Sequence, residues 1–163
     1  MKKILLISDT HGYIDEKIIK YANKVDEIWH AGDIGDISVT DKLKQIKPLK
    51  GVYGNIDDQK IRAEFPLHNR FICEKVNVWI THIGGYPKRY NPKILEELKL
   101  NPPDLFICGH SHILKVINDK ELDLLHMNPG AIGKYGLHRV RTMIQFEING
   151  KKIENLSVIE FER

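Results

Sequence analysis

The chain has 163 residues, a formal net charge of +3, and 42% hydrophobic and 29% charged residues. That length fits one domain over residues 1–163, with a core large enough to stand without disulfide or metal staples. The composition excludes a disordered chain, and so mild a positive charge calls for no polyanionic partner such as DNA.

Cys73 and Cys108 each sit in an apolar run with no CxxC pairing, which predicts two buried thiols in a reducing, cytoplasmic compartment. After Met1-Lys2-Lys3, the apolar stretch Ile4–Ile7 is interrupted at Asp9 and His11, too soon for a signal peptide. No run approaches the ~20 apolar residues that span a bilayer, so no membrane role is expected.

In chain order, residues 3–8 form a nearly continuous apolar run, the mark of a strand buried on both faces. Residues 14–25 place Ile14, Ile18, Ile19, Ala22 and Val25 at helical spacing. A strand is predicted at Glu27–His30, a helix over 37–47 with Ile37, Leu43 and Ile46 on one side, and a strand at Leu49–Tyr53. This β-α-β-α-β opening implies parallel strands with right-handed crossovers. Arg70–Glu74 and Val76–Thr81 read as closely joined strands, Pro92–Leu100 as a helix stopped by Asn101-Pro102-Pro103, and Asp104–Cys108 as another buried strand. The last third reads as strands at Leu114–Asn118, Glu121–His126, Arg141–Ile148 and Lys152–Glu160, with Asn149-Gly150 as a hairpin turn between the final two. The expected fold class is α/β, with two sheets packed face to face and helices outside. The first sheet would be mainly parallel, the second mixed or antiparallel.

Five of these strands end in polar groups. Asp9 and His11 follow the first, Gly32-Asp33 the second, Gly54-Asn55 the third, His82 the Val76–Thr81 strand, and Gly109-His110-Ser111-His112 the Asp104–Cys108 strand. Ligands of open α/β sheets gather beyond the carboxyl ends of strands, so seven metal-capable side chains are expected in one place. The set contains no cysteine, which argues against a thiolate zinc site. Imidazole with carboxylate suits Mn, Fe, Zn, Co or Ni better than Ca or Mg. Seven donors exceed one tetrahedral ion and match two ions sharing a carboxylate. If the chain stays extended, Asp9 and His11 face one side. A lone DxH, GD or GN carries little weight, whereas two histidines beside glycine at a strand end sit awkwardly in a core. His30 reads as a partly buried strand histidine, and His126 divides evenly between supporting a ligand and plain structure.

The ordered motifs Asp9-x-His11, Gly32-Asp33, Gly54-Asn55, His82 and Gly109-His110-Ser111-His112 resemble the calcineurin-like metallophosphoesterase signature. The short length, with Asn128-Pro129-Gly130 after the last motif, is similar to the small YfcE-type phosphodiesterase branch. The resemblance implies a four-layer α/β/β/α sandwich. It also implies two divalent metal ions, manganese foremost and nickel, iron, zinc or cobalt as alternatives. One ion would take Asp9, His11, Asp33 and His112, the other Asp33, Asn55, His82 and His110, with Asp33 and a hydroxide bridging. Asp33, Asn55 and His82 are thus expected at the reaction. Asp57 is a further candidate there, though orienting its loop by hydrogen bonds is its simpler role. Many family members carry histidine where this chain has Ile56, and an isoleucine protonates no leaving group. Unactivated monoesters, whose alkoxide leaving groups benefit from a general acid, are therefore disfavoured.

The reading that follows is a dinuclear phosphodiesterase acting on small phosphodiesters through a metal-bridging hydroxide. A phosphomonoesterase on the same site is the first alternative. The second is a protein-interaction scaffold of the retromer-subunit kind, with Ile34, Ile37, Val39 and Leu43 as its conceivable surface, although their spacing points to core packing. A nuclease finds no room for a capping domain, and Lys42, Lys44, Lys47 and Lys50 read as a solvated face. Loops around Tyr13, Tyr86–Tyr90 and Lys134–His138 are the places for substrate choice, and a homo-oligomer is compatible with such a chain.

Overall fold

The run Lys2–Ile7 forms strand β1, and its uninterrupted apolar character has a direct cause: Ile4 and Leu6 point into one buried layer, Leu5 and Ile7 into another. The computed structural model describes residues Met1–Arg163. After β1 come α1 (Glu16–Ala22), β2 (Glu27–His30), α2 (Ile37–Lys44), β3 (Leu49–Gly51) and α3 (Gln59–Glu64). The middle holds β4 (His68–Cys73), β5 (Val76–Thr81), the short pair β6 (Gly85–Tyr86) and β7 (Arg89–Tyr90), α4 (Pro92–Leu100) and β8 (Leu105–Ile107). The chain closes with β9 (Leu114–Asp119), β10 (Leu124–Pro129), β11 (Val140–Asn149) and β12 (Lys152–Glu162).

Every helix starts on an Asp or Asn whose side chain accepts a backbone N–H of the first turn: Asp15 from Ile18, Asp36 from Ser38, Asp58 from Ile61 and Asn91 from Lys93. This satisfies donors that have no partner within the helix. Pro92 adds a preset φ at the start of α4.

Two five-stranded sheets result, ordered β12-β11-β1-β2-β3 and β4-β5-β8-β10-β9. In the first, β1, β2 and β3 run parallel, as the opening pattern predicts, and the hairpin β11–β12 joins antiparallel to β1. In the second, β5, β8 and β10 run parallel between antiparallel edges β4 and β9. Both sheets are therefore mixed. The sheets pack face to face over Ile4, Leu6, Trp29, Val78, Ile107 and Phe146, all fully buried. Trp29 spans this layer, edge-on to Phe71 of the second sheet at 5.0 Å and to Phe146 of the first at 5.7 Å. Ile18, Val39, Leu43 and Ile61 cover the outer face of the first sheet, and Ile94 and Leu98 of α4 cover Trp79 and Phe106 on the second. The result is the expected four-layer α/β/β/α sandwich.

Three local expectations shift. Helix α3 and the β6–β7 pair carry no periodicity long enough to read. The final turn is Gly150-Lys151, one residue beyond Asn149-Gly150, since Asn149 still pairs with Lys152. Gly150 supplies the positive φ of 62° that a tight hairpin needs. The surface considered for a scaffold is absent at Ile34, Val39 and Leu43, which are core residues. Cys73 and Cys108 are free and buried. No helix is long and apolar enough to cross a membrane.

Candidate metal centre

Strands β1, β2, β3, β5 and β8 end on one side of the sandwich, and the polar residues after them meet there. Asp9, His11 and His112 form one group of donors within 4.8 Å of one another, and Asp33, His82 and His110 a second. Asp33 joins the two: its Oδ2 lies 3.5 Å from His11 Nε2 and 3.2 Å from His82 Nε2. Asp9 Oδ1 lies 3.1 Å from His112 Nε2 and 3.9 Å from His82 Nε2. Asn55 completes the second group, its Oδ1 3.1 Å from His110 Nδ1. All seven expected side chains thus converge.

Local backbone explains how loops aim them. Asp9, His11, Asp33, His110 and His112 have φ between 46° and 73°, the left-handed region that non-glycine residues seldom occupy. Strain of this kind persists where surrounding structure enforces it, typically at functional sites. It also corrects one expectation: Asp9 and His11 do not project from an extended strand, because β1 has ended at Ile7. Two glycines keep the space clear. A Cβ on Gly54 would strike the Asp33 carboxylate and backbone N, and one on Gly32, at φ 100°, would lie 2.6 Å from the His82 ring.

The supporting contacts leave one set of lone pairs free. Asp9 Oδ2 accepts Ser8 Oγ–H at 2.6 Å and the His110 backbone N–H at 3.1 Å, so Oδ1 faces the cluster. His82 Nδ1 donates to the Ala31 carbonyl at 2.7 Å, which orients Nε2 toward Asp33. Ile56 contributes through its backbone, donating N–H to Asp33 Oδ1 at 3.2 Å, while its side chain is 47% exposed. Burial opposes ionisation of Asp9, but the neighbouring imidazoles of His11, His112 and His82 and the Ser8 hydrogen bond outweigh it and hold the carboxyl far below its usual range. Burial likewise opposes a proton on His82, and Asp33 and Asp9 pull its pKa up.

Asp9 Oδ1, His11 Nε2 and His82 Nε2 are buried without any hydrogen-bond partner. Unpaired buried polar atoms are costly and rare, and here Asp9 Oδ1 faces His11 Nε2 at 3.7 Å and His82 Nε2 at 3.9 Å, too far for hydrogen bonds. Divalent cations would satisfy these donors. Oxygen and imidazole donors without thiolate suit Mn, Fe, Co, Ni or Zn, and a shared Asp33 Oδ2 suits two ions.

Asp57 lies behind the donors rather than among them. Its buried carboxylate accepts the N–H groups of Ile34 (3.1 Å), Gly35 (2.8 Å) and Gly54 (2.7 Å). It therefore ties the Asp33 loop to the Asn55 loop, with both carboxylate oxygens engaged by backbone N–H groups. His30 is fully buried, with Nδ1 accepting Gly32 N–H and Nε2 bonded to Thr10 Oγ1, and burial lowers its pKa to about 4. It steadies the Gly32 turn. His126 lies away from the cluster, packed against Tyr86, Tyr90 and Phe106.

Other supports escape a reading of the sequence. Asn128 Nδ2 donates to the Gly109 carbonyl, holding the GHSH loop. The Tyr135 ring stacks 4.9 Å from His11, and His138 lies 5.2 Å from His112. Asn128-Pro129-Gly130 was a visible signal; nothing marks Ser8 or His138.

The model of the calcineurin-like phosphoesterase superfamily domain matches residues 1–151. The chain belongs to this superfamily. A probable metallophosphoesterase of Methanocaldococcus jannaschii is 31% identical over 134 residues, covering 77% of this chain and 66% of the relative. Among solved structures, Vps29 of Chaetomium thermophilum superposes with a TM-score of 0.77 at 19% identity, covering 99% of this chain and 97% of that one. A structure described as a novel archaeal phosphodiesterase superposes with a TM-score of 0.71 at 21% identity, covering 96% of this chain and 99% of that one. At such identities these structures share the fold, and their branch is the small YfcE/Vps29-type one that the motifs resemble. The chain is thus a small calcineurin-like phosphoesterase domain with candidate ligands for divalent metal.

Proposed function

We propose that this chain is a dinuclear phosphodiesterase, with manganese the foremost ion and Ni, Fe, Zn or Co accepted by the same donors. The observation that carries the reading is the pair of donor groups sharing Asp33 Oδ2, with three buried donor atoms otherwise unpaired. Asp9, His11, Asp33 and His112 would hold one ion, and Asp33, Asn55, His82 and His110 the other. Bound there, two divalent ions supply Lewis acidity toward phosphate oxygens and a hydroxide nucleophile at neutral pH.

The chain's own residues do the rest. Ser8 and the His110 N–H fix the Asp9 carboxylate, Ala31 fixes the His82 tautomer, and Asp57 holds the two ligand loops in register. Nothing at position 56 protonates a leaving group, since Ile56 presents only hydrocarbon to solvent. This favours diesters and esters of acidic alcohols, whose leaving groups depart without help. Exposed Asn55 and His110 put the second donor group within reach of a small substrate.

The scaffold reading draws on the likeness to Vps29. The same experiment separates the two. Chelator-stripped protein is assayed on an aryl phosphodiester and the matching monoester with Mn, Ni, Co or Zn, beside Asp33→Asn. Restored diester hydrolysis that the variant loses, by about a hundredfold or more, supports the enzyme. Inactivity on both esters with every ion overturns it.

A further inference from the structure

A cleft of about 350 Å³ opens directly from the second donor group, with Asn55 and His82 on its rim. Its volume lies at the low end for sites that bury a small organic ligand. Twelve residues line it, and none is an aspartate or glutamate. Arg62 and Lys93 bring two positive charges, and His68 an imidazole, to the same walls.

Arg62 is held in place. Its Nε donates to the Asp57 carbonyl at 2.7 Å and one terminal nitrogen to the Asn55 carbonyl at 3.3 Å, while the guanidinium lies 4.7 Å over the Tyr53 ring. An exposed arginine usually loses much of its contact energy to rotamer freedom, and these three contacts remove that cost in advance. No carboxylate lines the cleft or lies within ion-pair distance of Arg62 or Lys93. A pre-positioned, uncompensated guanidinium beside a candidate metal ligand is suited to an anion, and its planar fork to phosphate. Part of the remaining wall is aliphatic: Leu67 and Ile83 line the cleft while 49% and 41% exposed. Such a surface accepts a ring or other apolar body between two charged ends.

We infer that this cleft binds a second phosphate on the organic arm of the substrate. The favoured class is then a small nucleotide-like phosphodiester that carries a further phosphate beyond the one attacked. The inference rests on the proposed phosphoesterase reading for the identity of the neighbouring centre. Arg62 and Lys93 set specificity, and Leu67 and Ile83 receive the base or ring.

The test uses the manganese-loaded full chain and product-like probes that need no turnover. Thymidine 3′,5′-bisphosphate and thymidine 5′-monophosphate are titrated by calorimetry, with hydrolysis of bis(p-nitrophenyl) phosphate followed in parallel. The bisphosphate is expected to bind about tenfold more tightly, as one charge-assisted contact provides. Arg62→Gln and Lys93→Gln should each reduce that ratio severalfold, and Arg62→Lys should restore part of it. Lys93→Gln guards against a folding artefact, because the Lys93 side chain is exposed and makes no ion pair. A ratio near one, or a ratio unmoved by either Gln variant, overturns the inference. Diester hydrolysis with no bisphosphate preference would sink the subsite and keep the enzyme. A preference that Arg62→Gln and Lys93→Gln both reduce, without hydrolysis, would keep the subsite and sink the enzyme.

Discussion

Replacing His126 with leucine should stabilise the protein, and more at acid pH than at neutral pH. His126 is fully buried on β10 among Tyr86, Tyr90 and Phe106, and neither ring nitrogen has a partner. Burial first, and the charge of Lys115 second, lower its pKa from 6.5 to about 4, with Asp119 pulling weakly the other way. Above the unfolded value both states are neutral, and the variant gains by removing two unsatisfied polar atoms, about 1–3 kcal/mol. Below it the unfolded chain binds a proton that the folded protein refuses until about pH 4. Wild-type stability therefore falls by about 1.4 kcal/mol per pH unit across that window, or about 2 kcal/mol by about pH 5. The variant lacks this loss. Urea unfolding of both proteins in chelator, at about pH 7.5 and about pH 5, gives the double difference. His30, also lowered to about 4 by burial, is present in both proteins and cancels. An equal pH dependence in wild type and His126→Leu would refute the argument, because it would mean that His126 is protonated or solvated in the folded state.

Further outcomes concern the loops behind the donors. Asp57→Ala leaves the N–H groups of Ile34, Gly35 and Gly54 without their acceptor; urea unfolding should show a loss of about 2–4 kcal/mol, and metal titration a 10- to 100-fold weaker affinity. Gly54→Ala places a methyl against the Asp33 carboxylate. It should keep a native far-ultraviolet circular dichroism spectrum while weakening metal binding by about tenfold or more, and unchanged metal binding would contradict the geometry.

What could be read from the chain alone was the identity of the donors and the parallel β-α-β-α-β frame. Apolar runs followed at once by Asp, Asn or His announce buried strands that deliver polar groups at their ends. Gly32, Gly54 and Gly109 beside those groups mark tight approaches. Such signals are local, so they survive in one dimension. Tertiary structure decided the non-local matters. The β11–β12 hairpin pairs with β1 because Phe146 and Ile148 extend the buried layer beside Ile4 and Leu6, and its alternation fits either sheet equally well. The left-handed backbone at Asp9 and His11 arises because loop contacts to Gly32, Asp33 and Ile34 pull the chain out of the strand. Asp57 and Arg62 have unremarkable neighbours in sequence. The first became a clamp and the second a fixed cation because packing brought backbone groups of other loops, or an aromatic ring, within reach. Residue type specifies which chemistry is available; the folded chain determines which groups are left facing it unpaired.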